Sequence, residues 1–456
     1  MRRWWPAAFV MVFPACAGEE STETPTLTAN SIAFVEVTTE AGLGGFKHER
    51  GAQGDFWFPE INGAGVAFID YDADGWQDLL VAGGGVWDGS GREKVPSVWL
   101  YRNEGNGTFS LRTDEAGLAN VHDYSYGFAV ADYDNDGDQD FLLTTVGLNR
   151  LFRNDGGRFA EVGTAAGISD RIEWSNSAAF FDADRDSHLD LFVTNYVQWS
   201  PETDIPCLFG AENRKDYCTP HAYRGMPSRY FHNDGDQTFT DQSQEAGFLP
   251  SPGKSMGVAL LDFNDDGWTD LAVANDGEPD QLYRNEGNGR FSEVGFVSGM
   301  ALNSRGQPTA GMGIDAGQID GSGRDAIVVG NFSFENIGVF RYDGNGLFSD
   351  ISQSSGIGAT SLWSLTFGVL LFDADLDGDQ DFFAANGHIS VHADEDGDPD
   401  RFREPPHLYA NDGNGRFTDA APTIESLRTP MLARGVAYAD YDRDGDLDLA
   451  ISENDG

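Results

Sequence analysis

The chain has 456 residues, with 75 Asp and Glu against 29 Lys and Arg, a formal net charge of −46. A field of that sign repels polyanions, which excludes nucleic acid and anionic membrane surfaces as partners and favours solubility. Beyond the first residues no stretch is long and apolar enough to form a membrane-spanning helix.

The start, MRRWWPAAFVMVFPACAGEES, has two Arg, a short apolar run and small residues, the layout of an export signal over residues 1–17. Two outcomes stay open here: cleavage after Ala17, or lipid attachment at Cys16, the only membrane link the sequence offers. Residues 18–30 are Ser-, Thr- and Glu-rich and read as a polar spacer.

From there a short apolar strand runs six times into the same acidic nine-residue loop. DYDADGWQD offers Asp70, Asp72, Asp74 and Asp78, with the carbonyl of Trp76. DYDNDGDQD offers Asp132, Asp134, Asp136 and Asp140, with that of Asp138. DADRDSHLD offers Asp182, Asp184, Asp186 and Asp190, with that of His188. DFNDDGWTD offers Asp262, Asn264, Asp266 and Asp270, with that of Trp268. DADLDGDQD offers Asp373, Asp375, Asp377 and Asp381, with that of Asp379. DYDRDGDLD offers Asp440, Asp442, Asp444 and Asp448, with that of Asp446. Oxygen donors thus fall at positions 1, 3, 5, 7 and 9, and Gly stands at position 6 in five loops. Calcium takes six to eight oxygens in a flexible shell, and Gly supplies the positive φ that brings the position-7 carbonyl inward. Four carboxylates so close together repel one another, so a cation relieves strain. About six calcium sites are expected.

An EF-hand shares the first six positions but needs Glu at position 12 and a following helix. Position 12 is Val81, Leu143, Val193, Val273, Ala384 or Ile451, each inside a strand-like apolar run. A seventh, decayed copy lies between the fourth and fifth loops, where Gln318, Asp320, Ser322 and Ala326 hold the donor positions and Asp325 is displaced by one.

Each unit continues with a strand, a Gly/Asn turn and another strand, as in LYRNEGNGTF, LFRNDGGRF and YFHNDGDQTF, and closes on a small-residue turn such as AGI or AGF. Seven units of four strands, with turn signals throughout, predict an all-β fold: a seven-bladed β-propeller of four-stranded antiparallel blades over residues 31–456. The last unit stops at Gly456 before its third and fourth strands. Residues 31–43, with the FVEVTTEAGL pattern of a last strand, are expected to close it in part. The incomplete unit also leads us to expect a longer natural product.

Cys207 and Cys218 lie eleven residues apart in an insertion of the third unit and are expected to pair, as suits an exported chain. Insertions also follow Ala82 and Ala385, all on second-to-third-strand connections and so on the face opposite the acidic loops. Trp87, Tyr196, Trp199, Tyr223, Asn386 and His388 are the candidate contact residues there; the competing reading is that they cover the edge of the core. Asp394, Asp396, Asp398 and Asp400 read as a solvated acidic loop, with a further cation site as the alternative. His388 and His392 have HxxxH spacing without the Glu of a zinc protease, and no GxSxG, Walker loop or dinucleotide motif occurs.

GVAFIDYDADGWQDLLVAG, followed by LYRNEGNGTF and AGL, resembles the FG-GAP or VCBS-type repeat, which builds the integrin α-chain propeller. The PCLFG, DYCTP and MPSRYFHNDGDQTF segments, with ANGHI, are similar to the cartilage acidic protein group, secreted propellers often followed by an ASPIC/UnbV domain. No such segment occurs in this sequence. The resemblance implies calcium on the Asp and Asn residues above, and a monomeric, exported module that binds an extracellular protein or glycan without catalysis. A propeller-type lyase or hydrolase acting on acidic glycans is the alternative.

Overall fold

The computed structural model describes residues 32–87, 90–209, 213–248, 252–395 and 399–454. The export signal, the spacer, Cys16, Asp396 and Asp398 lie outside them. All pairing between the described strands is antiparallel, in repeated units that follow chain order, and one isolated parallel bridge joins Glu49 and Gly84.

Unit 1 holds β1 (Val66–Ile69), β2 (Asp78–Ala82), β3 (Val98–Asn103) and β4 (Phe109–Leu111). Unit 2 holds β5 (Tyr124–Ala131), β6 (Asp140–Gly147), β7 (Arg150–Asn154) and β8 (Phe159–Glu161). Unit 3 holds β9 (Glu173–Phe181) and β10 (Asp190–Asn195), then the separate hairpin β11 (Cys207–Phe209) and β12 (Arg214–Asp216), then β13 (Arg229–Asn233) and β14 (Phe239–Asp241). Unit 4 holds β15 (Ser255–Leu261), β16 (Asp270–Asn275), β17 (Gln281–Asn285) and β18 (Phe291–Glu293). Unit 5 holds β19 (Ile314–Gly317), β20 (Ala326–Val329), β21 (Gly338–Gly344) and β22 (Leu347–Asp350). Unit 6 holds β23 (Thr366–Phe372), β24 (Asp381–Asn386), β25 (His407–Asn411) and β26 (Phe417–Asp419), and the last pair is β27 (Ala433–Ala439) and β28 (Asp448–Glu453). A short β6 to β9 pairing, Val146 with Trp174 and Gly147 with Glu173, joins units 2 and 3.

The first strands form a closed circuit: β1 touches β5, and contact passes through β9, β15, β19 and β23 to β27, which touches β1. These strands meet at glycines for want of space. A Cβ on Gly65 would lie 2.2 Å from the Tyr126 carbonyl oxygen, and one on Gly313 would lie 2.1 Å from that of Phe367. Apolar residues of each second and third strand interdigitate with those of the next unit. Leu80 and Leu100 pack on Phe141 and Phe152, Phe192 on Tyr283, and Leu79 and Tyr101 on Tyr441 and Ala450 across the closure. The sheets therefore have no core of their own, and each buries its faces against two neighbours.

At the meeting of the chain ends, the described residues of the 31–43 segment pack against the last unit without adding a strand to it. Residues 33–37 join no sheet, although Ile32 and Phe34 pack with Leu427, Ala433 and Ile451. Ala41 then accepts the Phe109 N–H at 2.8 Å, just as Ala116 accepts that of Phe159 at 2.9 Å. The segment thus fills the place of a last strand and its turn, but among the described residues no third strand stands between it and β28 to carry the ladder. As a result β28 is only half-buried, whereas β2, β10, β16 and β24 are buried throughout. Polar bonds close the ring instead. The buried Arg434 guanidinium donates to the Ile61 and Gly387 carbonyls at 2.9 Å and lies 4.0 Å from the centre of the Phe367 ring. Asn454 donates to the Ile61 and Asn62 carbonyls.

The unit 6 insertion is anchored by Glu404, whose backbone pairs with Met431 and whose side chain accepts the Leu365 N–H at 2.9 Å. Burial pushes this carboxyl up to about 8. Its folded value is above its unfolded one, so the cost is absent in acid, where both states are protonated, and grows as pH rises through that range. Glu404→Gln should match the parent at pH 4 and exceed it by about 2 to 4 kcal/mol at pH 8.5; denaturant unfolding at the two pH values measures the difference.

Candidate metal centres

Each acidic loop joins the first and second strands of its unit, and one hydrogen-bond scheme recurs in all six. The position-1 carboxylate accepts the position-6 N–H, as Asp132 does from Gly137 at 3.0 Å. The position-5 carboxylate accepts the position-7 N–H, as Asp74 does from Trp76 at 2.9 Å. The position-9 carboxylate opens the second strand and accepts the position-2 N–H, as Asp78 does from Tyr71 at 3.1 Å. Position 6 has positive φ as the sequence indicated, including Ser187 at 72°. Position 4 has it too, at Ala73, Asn135, Arg185, Asp265, Leu376 and Arg443, with φ from 54° to 63°. Asn135 and Asp265 suit a left-handed residue; at Ala73, Arg185, Leu376 and Arg443 the doubled turn of the loop imposes it.

The scheme leaves carboxylate oxygens facing inward. Asp70 Oδ1, Asp72 Oδ1, both oxygens of Asp134, Asp375 Oδ1 and Asp440 Oδ1 are buried and have no hydrogen-bond partner. Ligand atoms lie within 4.8 Å of one another in the groups Asp70, Asp72 and Asp78; Asp132, Asp134 and Asp136; Asp373, Asp375 and Asp381; and Asp440, Asp442 and Asp448. Buried, unpaired, all-oxygen donors at this spacing fit a hard divalent cation.

Two loops vary the pattern in ways the sequence did not signal. At Asp182 the close group is Asp184, Asp186 and His232, the imidazole reaching in from β13 and lying 3.0 Å from Asp190. At Asp70, Arg102 from β3 spans Asp72 and Asp74 at 2.6 and 2.5 Å, so a side-chain cation already stands over the loop. In the Asp262 loop Asn264 donates to Asp266 at 2.9 Å. The decayed loop of unit 5 gathers no such group among the described residues; there Gln318 bonds the Gly323 carbonyl and Arg324 points to Asp265 of the neighbouring loop.

Burial raises the position-9 carboxyls, with the acidic neighbours adding to the shift and the backbone N–H bonds opposing it. Asp78, Asp140, Asp270 and Asp381 reach about 7, and Asp448 about 6. Asp134 and Asp375 shift upward for the same reasons.

The opposite face holds the insertions, and their aromatic residues turn inward. Tyr196, Trp199 and Tyr223 are buried with Phe58, Trp174 and Tyr217, while Trp87 is half-buried, stacked on Tyr124 at 4.2 Å. Asn386 is fully buried; it accepts from Thr366 Oγ1 at 2.8 Å and donates to the Pro405 carbonyl, as Asn275 does with Ser255 and Pro279. His388 is buried against Phe332, and desolvation lowers its pKa. Five of these six residues are thus buried and Trp87 is half-buried. Exposed apolar residues on this face include Ile205, Leu208 and Phe209, at the hairpin closed by the Cys207–Cys218 disulfide, and Phe334 packed on Trp363. Of the acidic run in unit 6, Asp400 is buried 3.5 Å from His388, and Asp394 accepts the Phe402 N–H.

The FG-GAP-like repeat family matches residues 70–143, 132–193, 217–273, 262–329 and 373–451, and this chain belongs to it. The chain is similar to cartilage acidic protein 1 of Mus musculus, 25% identical over 288 residues, which cover 50% of this chain and 43% of the relative. With that of Xenopus tropicalis it shares 27% identity over 182 residues, 39% of this chain and 25% of the relative. The chain thus spans less than half the length of these relatives. A solved structure of an Agrocybe aegerita lectin that recognises non-reducing terminal N-acetylglucosamine aligns over 87% of this chain and 86% of its own, at 17% identity and a TM-score of 0.46.

A cation held in these loops would compete with a proton for the position-9 carboxylates, whose raised values place that competition near neutrality. Calcium affinity should fall at least about tenfold between pH 7.5 and 5.5, with protons released on binding near pH 6.5; isothermal titration in two buffers of different ionisation heat reads both.

Proposed function

We propose that this chain is an exported, seven-bladed propeller stiffened by calcium, which displays a binding surface for an extracellular protein or glycan and performs no catalysis. The inward-facing, unpaired carboxylate oxygens of Asp70, Asp72, Asp134, Asp375 and Asp440 carry the calcium part of this reading. Bound there, calcium supplies charge neutralisation, while the chain's own residues fix the loops to the strands. Export is supported by the disulfide and by the signal-like start. A partner surface on the far face is supported by the exposed Ile205, Leu208 and Phe209 on a disulfide-closed hairpin.

Each site filled a hundredfold above its dissociation constant adds about 2.7 kcal/mol to the folded state. Chelation should therefore lower Tm by at least about 10 °C, and restored calcium should recover it; a melting curve indifferent to chelator refutes the calcium role. In a screen against secreted proteins and glycan arrays, a ligand captured by the parent should be lost with Leu208→Asp, while Tm stays within about 1 °C. Turnover of a uronic-acid glycan would instead establish the enzyme class.

A further inference from the structure

The strand after each acidic loop's own strand carries an Asn whose side chain leaves its unit. Asn103, Asn154, Asn233, Asn285 and Asn411 each give their backbone N–H to the position-9 carboxylate of their own loop at 2.7 to 2.8 Å. Each Nδ2 then donates twice, once to the position-8 carbonyl of the same loop and once to the position-2 carbonyl of the loop before it. The second bonds run from Asn103 to Tyr441 at 2.7 Å, Asn154 to Tyr71 at 2.8 Å, Asn233 to Tyr133 at 3.0 Å, Asn285 to Ala183 at 2.8 Å and Asn411 to Ile319 at 2.9 Å. The residue whose carbonyl is held, Tyr71 for example, gives its own N–H to the position-9 carboxylate of that earlier loop. An unbroken polar path thus runs from Asp140 through Asn154 and Tyr71 to Asp78, from one metal-binding carboxylate to the next.

Position 4 supplies a second set of links. Asn135 donates to the Ser187 carbonyl at 3.1 Å, Arg185 to that of Gly267 and Arg443 to that of Gly75. Arg185 and Arg443 also lie over the rings of Trp268 and Trp76, at 4.0 and 4.1 Å from the ring centres.

Both sets fail between the Asp262 loop and the decayed loop and between the Asp373 and Asp440 loops; the position-4 set also has no donor at Ala73 or Gly321, so of these links only Asn154 joins the Asp70 and Asp132 loops. In unit 5 the Asn position is Tyr342, and among the described residues no third strand follows β28. At position 4 of the Asp373 loop stands Leu376, exposed and unable to donate. We infer that the loops at Asp440, Asp70, Asp132, Asp182 and Asp262 bind cations as one coupled series, whereas the Asp373 loop, tied through Asn411 only to the decayed loop, fills independently. Asn103, Asn154, Asn233 and Asn285 are the positioning residues of that coupling. This rests on the calcium reading given above.

Terbium replacing calcium tests it, since Trp76 in the Asp70 loop sensitises its luminescence; Trp268→Phe silences the other tryptophan-bearing loop. In that background Asp134→Ala, which disables the neighbouring loop, should raise half-saturation at the Asp70 loop at least about fivefold. Asp375→Ala, in the uncoupled loop, should leave it unchanged. Adding Asn154→Ala should shrink the Asp134→Ala effect to below about twofold, the loss of coupling that a cycle measures and a general weakening would not produce. A half-saturation that responds equally to Asp134→Ala and Asp375→Ala, or to neither, overturns the coupling while leaving the calcium reading intact. Absence of any Trp76-sensitised terbium signal overturns both.

Discussion

The carboxylate at position 9 of each acidic loop, buried in all but the last, is the constraint on which the rest of the structure depends. It begins the second strand, accepts one N–H from its own loop and, in every unit but the last, another from the third strand, and so fixes loop and strands to one point. A charge held there without a cation is costly, and burial moves these groups toward the protonated form. Protonation and metal binding relieve the same strain by different means.

That local geometry has a global consequence because no sheet is self-sufficient. The apolar faces of neighbouring units interlock all the way round, and the closing contact between β27 and β1 relies on packing and on Arg434 and Asn454 in place of a shared ladder. The acidic loops sit on one side of this ring, linked to each other by Asn side chains. The insertions lie on the other side, where rings and a disulfide lock them together.

The acidic loops were legible because their carboxylates recur at a fixed spacing among residues close in sequence. The same is true of the strand periodicity and of the Cys207–Cys218 pairing. His232 and Arg102 were not legible, since they approach the loops from a different strand. The Asn of the LYRN-type signature reads as a turn former, yet its amide acts mainly on the preceding unit. Tyr196, Trp199, Tyr223, Asn386 and His388 were placed on the correct face with the surface role left open, because loop aromatics look alike in sequence whether they face solvent or one another.

What the sequence by itself determined is everything set by short-range chemistry: the repeat, the β class, the spacing of the acidic residues and the glycine that turns five of the six loops. Only the tertiary structure decided how the ends meet, which loops touch, and which aromatic residues are buried. Those outcomes depend on side chains far apart in the chain competing for the same space and the same hydrogen-bond partners, and no local pattern records who wins.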